Sequence, residues 1–83
     1  MCIIIISHAR ERMRERGATE HEVIETLNKG ERFHAKCGRT GYRFTLKNQT
    51  NWQGRRYDEK MIEVYAIQED AAVVVITVIV KYF

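Results

Sequence analysis

Residues 61–80 read MIEVYAIQEDAAVVVITVIV, and the reading of this stretch decides the fold. Met61 to Ile67 have the composition of a strand. Asp70 sits in a tight turn, and Ala72 to Val80 are nearly continuous β-branched apolar residues. Such a run reads as a central strand covered on both faces. Upstream, Tyr42, Phe44 and Leu46 alternate with Arg43, Thr45 and Lys47. Phe33, Ala35 and Cys37 alternate with Arg32, His34 and Lys36. Both runs have period two, and the turn between them spans Gly38 to Gly41. They predict a hairpin with Arg32, His34, Lys36, Arg43 and Lys47 on one outer face and Cys37 toward the core. Asn48 to Lys60 read as a polar loop, long enough to suspect a functional role.

The N-terminal third predicts a short strand over Ile3 to Ile6 and two helices. Ser7 is a good N-cap for a helix running to Arg16 and stopping at Gly17. Thr19-Glu20-His21-Glu22 is a capping box that opens a second helix to about Asn28, with Gly30 beyond its end. Val23, Ile24 and Leu27 form its buried stripe. The order is β-α-α-β-β-β-β. It is an α+β fold, with two helices on one face of a mostly antiparallel, four- to five-stranded sheet. The helices cover one face. The other face needs a partner, a second copy, or the terminal Lys81-Tyr82-Phe83.

A chain of 83 residues makes one domain, expected to span 1–83. A domain this small buries only about 60% of its unfolded surface, so self-association or a partner would stabilise it. With 45% apolar and 30% charged residues it folds rather than staying disordered. Cys2 and Cys37 form no C-x-x-C pair, which excludes a disulfide scaffold and a zinc ribbon. The run Met1 to Ile6 lacks a basic lead and is too short for a signal peptide. Residues 71–80 fall far short of the roughly 20 that a membrane helix needs. The expectation is a cytoplasmic protein with reduced thiols, no membrane contact and no cofactor.

Net charge is +3, and its distribution matters more. Arg32, Lys36, Arg39, Arg43, Lys47, Arg55 and Arg56 fall in the 26 residues from Arg32 to Tyr57, with no Asp or Glu among them. That is an electrostatic footprint for a polyanion, or else a lopsided solvated surface. Trp52 and Tyr57 interleave with Arg55 and Arg56, a pattern suited to stacking bases and binding backbone phosphate. Trp52 equally suits a plug over the open side of a small core.

His8, Arg12 and Arg16 share one helix face at i, i+4 and i+8, with Ala9 and Met13 turned to the sheet. An imidazole near two guanidiniums suits phosphoryl chemistry: one moves a proton, the others hold phosphate. The plainer reading is a helix-opening histidine with arginines paired to Glu15 or to acids of the second helix. His34 and Cys37 fall on opposite strand faces, which excludes a shared metal. Thr77 interrupts an apolar strand, either as a β-former or as a hydroxyl aimed into a cleft at the sheet surface.

His8-Ala9, Arg12-Met13 and Arg16-Gly17 resemble the H-A-x-x-R-M-x-x-R-G opening of a small bacterial family of unknown function. The resemblance runs from about Ser7 to Val80 and ends in a strand similar to Val75-Ile76-Thr77-Val78. That family is grouped with RelE-like toxins, barnase-like nucleases and colicin ribonuclease domains. The resemblance implies a RelE-like, metal-free ribonuclease fold encoded beside an antitoxin. It implies His8, Arg12, Arg16 and Thr77 as catalytic positions.

Two functions follow as expectations. The first is a toxin-type, metal-independent endoribonuclease. His8 would be its acid or base, with His34 or Tyr57 the second. Arg12 and Arg16 would hold the scissile phosphate, and Lys36, Arg43, Arg55, Arg56 and Trp52 would guide the RNA. The second is a non-catalytic nucleic-acid- or protein-binding module with the same fold. A homodimer joined through the uncovered sheet face is the third and weaker expectation.

Overall fold

The computed structural model describes residues 2–83; Met1, at the head of the apolar run, lies outside them. Seven strands and two helices follow in chain order: β1 (Cys2–Ile5), α1 (Ser7–Arg16), α2 (Glu20–Lys29), β2 (Glu31–His34), β3 (Thr40–Leu46), β4 (Thr50–Trp52), β5 (Arg55–Tyr57), β6 (Lys60–Glu69) and β7 (Ala72–Tyr82). β1, β7, β6, β3 and β2 form one sheet in that order, and β4 with β5 forms a small second one. β1 is parallel to β7, and every other pair is antiparallel. α1 packs on β7, and α2 on β6 and β3. This is the expected α+β fold.

The core lies between the helices and one sheet face. Ala9, Met13 and Val23 meet Tyr42, Ile62, Val64, Ala66, Val75 and Val78 there. Thr26 is also fully buried on α2, because its hydroxyl donates to the Glu22 carbonyl (2.8 Å) and leaves no polar group unsatisfied. Ile24, expected in that stripe, is only half-buried.

The two helix starts differ. α2 has the predicted capping box: Glu22 N–H donates to Thr19 Oγ1 (3.1 Å) and Thr19 N–H to Glu22 Oε1 (2.9 Å). α1 is not capped by Ser7. Ile6 is its N-cap, extended and without a side-chain bond, and Ser7 lies inside the helix. The reason is that Ile6 N–H still donates to the Val75 carbonyl (3.4 Å), so the chain stays extended one residue longer.

α1 ends at Gly17, whose φ of 82° is the left-handed cap. A Cβ there would also lie 2.6 Å from the Trp52 ring. Trp52 stacks on Tyr82 (5.6 Å, 10°), and Tyr57 leans on the same ring (5.2 Å). These contacts dock β4 and β5 against the end of α1. The segment read as a loop is therefore a hairpin, turned by Gln53 and Gly54, both at positive φ. Lys60 is buried beside it, donating to the Gly17 carbonyl and to both Glu22 oxygens (2.8 and 3.1 Å).

Three further expectations are corrected. In β2–β3, Arg32 is paired with Tyr42 and His34 with Thr40, whereas Arg43 is paired with Glu31. Cross-strand partners share a face, so Arg43 lies opposite to Arg32 and His34, and no single basic face exists. Cys37 is exposed, at φ 62°, because β2 ends at His34 and strand alternation ends with it. β7 is covered on one face only. Val73, Val75 and Val78 are buried under the helices, while Val74, Thr77 and Ile79 line the other face half-buried. No helix described is long and apolar enough to cross a membrane.

Candidate functional site

The sheet face away from the helices carries two rows of side chains that run across the strands. Phe33, Gly41, Tyr65 and Thr77 are successive cross-strand partners, and so are Glu31, Arg43, Glu63 and Ile79. Between Tyr65 and Ala66 the register of β6 against β7 shifts by a bulge beside Thr77. Bulges of this kind re-aim side chains and recur next to active sites.

Glu63 is the unusual residue. It is 6% exposed on a face that no helix covers. Arg43 Nε donates to its Oε2 (2.7 Å), Arg43 Nη2 forms an ion pair with the same oxygen (2.7 Å), and Tyr65 Oη donates to Oε1 (3.1 Å). The carboxylate raises the Arg43 pKa further, chiefly through that hydrogen bond. Burial, then the bond to Glu63, pushes the Tyr65 phenol above its ordinary value. The Arg43 guanidinium also sits 4.9 Å over the Phe33 ring, which meets Tyr65 edge-on (6.0 Å, 84°). Phe33 can lie this low because Gly41 is beneath it. A Cβ at Gly41 would be 2.3 Å from two ring carbons.

Phe33, Tyr65 and Thr77 floor a cleft of about 420 Å³ walled by His34, Ala35, Lys36 and Arg39. The wall is the β2–β3 loop, closed by Ala35 N–H to the Arg39 carbonyl (3.0 Å) and Arg39 N–H to the Lys36 carbonyl (3.3 Å). Among the described residues neither Lys36 nor Arg39 forms an ion pair. The site thus has an aromatic and hydroxyl floor with two unpaired cations at its rim.

The residues singled out from sequence are not brought together. His8 is exposed on α1. Arg12 is ion-paired with Glu15. Arg16 donates to the Val78 carbonyl (2.6 Å) on the stretch of β7 that β1 does not reach, and its own carbonyl accepts from Tyr82 (2.6 Å). Both arginines have structural partners, Arg12 an acid as in the plainer reading of that helix face and Arg16 a backbone carbonyl in place of an acid. Thr77 lies on the far side of the sheet from α1, in the cleft. Of the proposed RNA-contacting residues, Lys36 lines the cleft and Arg43 is held by Glu63. Trp52 is stacked within the protein. Arg55 and Arg56 are exposed on β5, with Arg56 donating to Gln49 (2.8 Å). That hairpin follows the far end of β3, roughly 20 Å along the strand from the cleft loop.

Phe33, Arg39, Glu63 and Tyr65 escaped the sequence reading as site residues. The signal for two of them was present: Met61, Glu63, Tyr65 and Ile67 alternate with Ile62, Val64 and Ala66, which places Glu63 and Tyr65 on one face.

A family model described as a domain of unknown function (DUF4258) matches residues 5–80. No curated protein matches the chain, and no solved structure does.

Proposed function

The chain belongs to the DUF4258 family, and on that footing we propose that it is a toxin-like protein that binds single-stranded RNA at the open-face cleft. The observation that carries this reading is the pairing of Lys36 and Arg39, unpaired cations on one short loop, with the Phe33–Tyr65 floor beneath them. Cations bind phosphate without regard to sequence, and an apolar aromatic floor accepts an unstacked base. A cleft of about 420 Å³ is near the lower end of small-molecule pockets, room for one nucleotide and not for a duplex. The resemblance of the His8 to Gly17 segment to a family of unknown function that is grouped with RelE-like toxins supports the same class. An antitoxin partner and a cytoplasmic setting belong to that proposal.

Metal-independent cleavage is a second reading, favoured by one observation: His34, the last residue of the edge strand β2, is at the rim of the cleft whose floor carries Tyr65 and Thr77. A base there takes the ribose 2′-hydroxyl proton, the 2′-oxygen attacks phosphorus, and the 5′-oxygen leaves with a proton from an acid. His8 on α1 has no part in it.

The test is fluorescence anisotropy with a labelled single-stranded RNA in EDTA across a salt series. Each single-strand phosphate contact contributes about 0.7 to the slope of log K against log salt. Lys36→Ala with Arg39→Ala is expected to lower that slope by about 1.4. An unchanged slope overturns the cleft as the binding site. Cleavage products that vanish in His34→Ala support the second reading, and intact RNA leaves a binding module.

A further inference from the structure

Every edge of the five-stranded sheet but one is guarded. β2, at one side, exposes Glu31 and Arg32, charges that discourage a further strand, and the polar His34. β7 beyond Val75 is flanked by α1, and Arg16 occupies its Val78 carbonyl. The remaining edge is β1, Cys2-Ile3-Ile4-Ile5, with no charge and no proline. Among the described residues no strand lies beyond it. Ile4 is 45% exposed on the open face, beside Val74.

The ladder shows which backbone groups are free. Cys2 N–H donates to the Ala71 carbonyl (3.2 Å) and Ile6 N–H to the Val75 carbonyl (3.4 Å). In a parallel pair alternate residues turn both backbone groups to the same neighbour. Even-numbered residues therefore face β7, and the N–H and C=O groups of Ile3 and Ile5 point outward.

We propose that β1 is a dimerisation edge, pairing antiparallel with β1 of a second copy of this chain, Ile4 opposite Ile4 and Ile3 opposite Ile5. This register follows from parity. A two-fold axis normal to the sheet keeps both sets of helices on one side, which requires facing residues of equal parity. The two symmetry-related Ile3–Ile5 pairs then use every free backbone group of those residues. Ile4 meets its copy at the closer, non-hydrogen-bonded position.

Charge favours a second copy over an unrelated strand. α1 has no acidic residue in its first turn and no side-chain cap, so the positive end of its dipole is unanswered. In the proposed register Cys2 of each copy lies opposite Ile6 of the other. Cys2 is paired with Ala72, which follows the exposed Glu69-Asp70 turn. The two-fold thus carries that acidic turn toward the start of the other copy's α1, where Ile6 gives way to exposed His8 and Arg10.

The test is cysteine cross-linking in a Cys2→Ser, Cys37→Ser background under oxidised glutathione. Ile4→Cys is expected to give a disulfide-linked dimer. Its α-carbons would be about 4.5 Å apart, inside the roughly 4.4–6.8 Å that a disulfide spans. Ile3→Cys is expected to remain unlinked. In sedimentation velocity the unsubstituted chain runs as a dimer at about 100 μM, and Ile4→Lys as a monomer with an unchanged far-ultraviolet circular dichroism spectrum. Equal cross-linking at both positions overturns the proposal. So does a monomeric unsubstituted chain, which would assign the edge to a different protein.

Discussion

Replacing Gly41 by alanine tests the floor of the cleft with one methyl group. The added Cβ would lie 2.3 Å from two carbons of the Phe33 ring, so the ring must leave the sheet. Its departure forfeits the edge-on contact with Tyr65, worth about 1 kcal/mol. It also exposes a half-buried phenyl group, at about 1 kcal/mol more. Alanine returns about 0.5 kcal/mol because glycine is a poor strand residue, and the φ of Gly41 is not positive. The net loss is about 1.5 kcal/mol, or roughly 6–12 °C in Tm for a domain of this size. Thermal unfolding followed by circular dichroism reads it directly. A double-mutant cycle isolates the cause: in a Phe33→Ala background the same Gly41→Ala change becomes neutral or stabilising by about 0.5 kcal/mol. An equal loss in both backgrounds would refute the argument, because the clash would then not involve Phe33.

Other predictions follow from the same contacts. Lys60→Met leaves the Gly17 carbonyl without its donor and Glu22 with only the Thr19 N–H, and costs about 3 kcal/mol in urea unfolding; adding Glu22→Leu recovers only part of it, because Gly17 stays unpartnered and the capping box is lost. Tyr65 and Tyr82 both have raised pKa values, mainly through burial, so each binds its proton more tightly folded than unfolded. Their contribution is complete below the ordinary phenol value of about 10 and is lost as pH rises through the folded value. Unfolding midpoints measured from pH 8 upward should fall above about pH 10, less steeply in Tyr65→Phe. Gly17→Ala, which puts a methyl at left-handed φ against Trp52, should lower Tm and release the Trp52 fluorescence from its packed environment.

The elements were legible where a local signal sets them. Thr19 and Glu22 announce α2 three residues apart. The β-branched run from Ala72 announces β7. The alternation from Tyr42 to Lys47 announces β3, which ends one residue earlier, at Leu46. Faces were less legible because they depend on register. Placing Arg43 beside Arg32 assumed a tight turn at 38–41, whereas the loop spans 35–39 and pairs Arg32 with Tyr42. One residue of loop length inverts a face. β4 and β5 were missed because three-residue strands show no periodicity, and because Gln53-Gly54 is a weaker turn signal than Asn-Gly. The site was the least legible part. Nothing local links Phe33, Arg43, Glu63 and Tyr65. They meet only once β2, β3 and β6 are in register, whereas His8, Arg12 and Arg16 stand out at helical spacing and are held apart from the cleft.

The measurement that bears most directly on the proposed function is an NMR titration of the isotope-labelled chain with a short single-stranded RNA, followed at every amide. Shifts are expected at Phe33 to Arg39, Tyr65 and Thr77, with the α1 amides of His8, Arg12 and Arg16 unmoved. Shifts concentrated on α1, with the cleft silent, would contradict the proposed function.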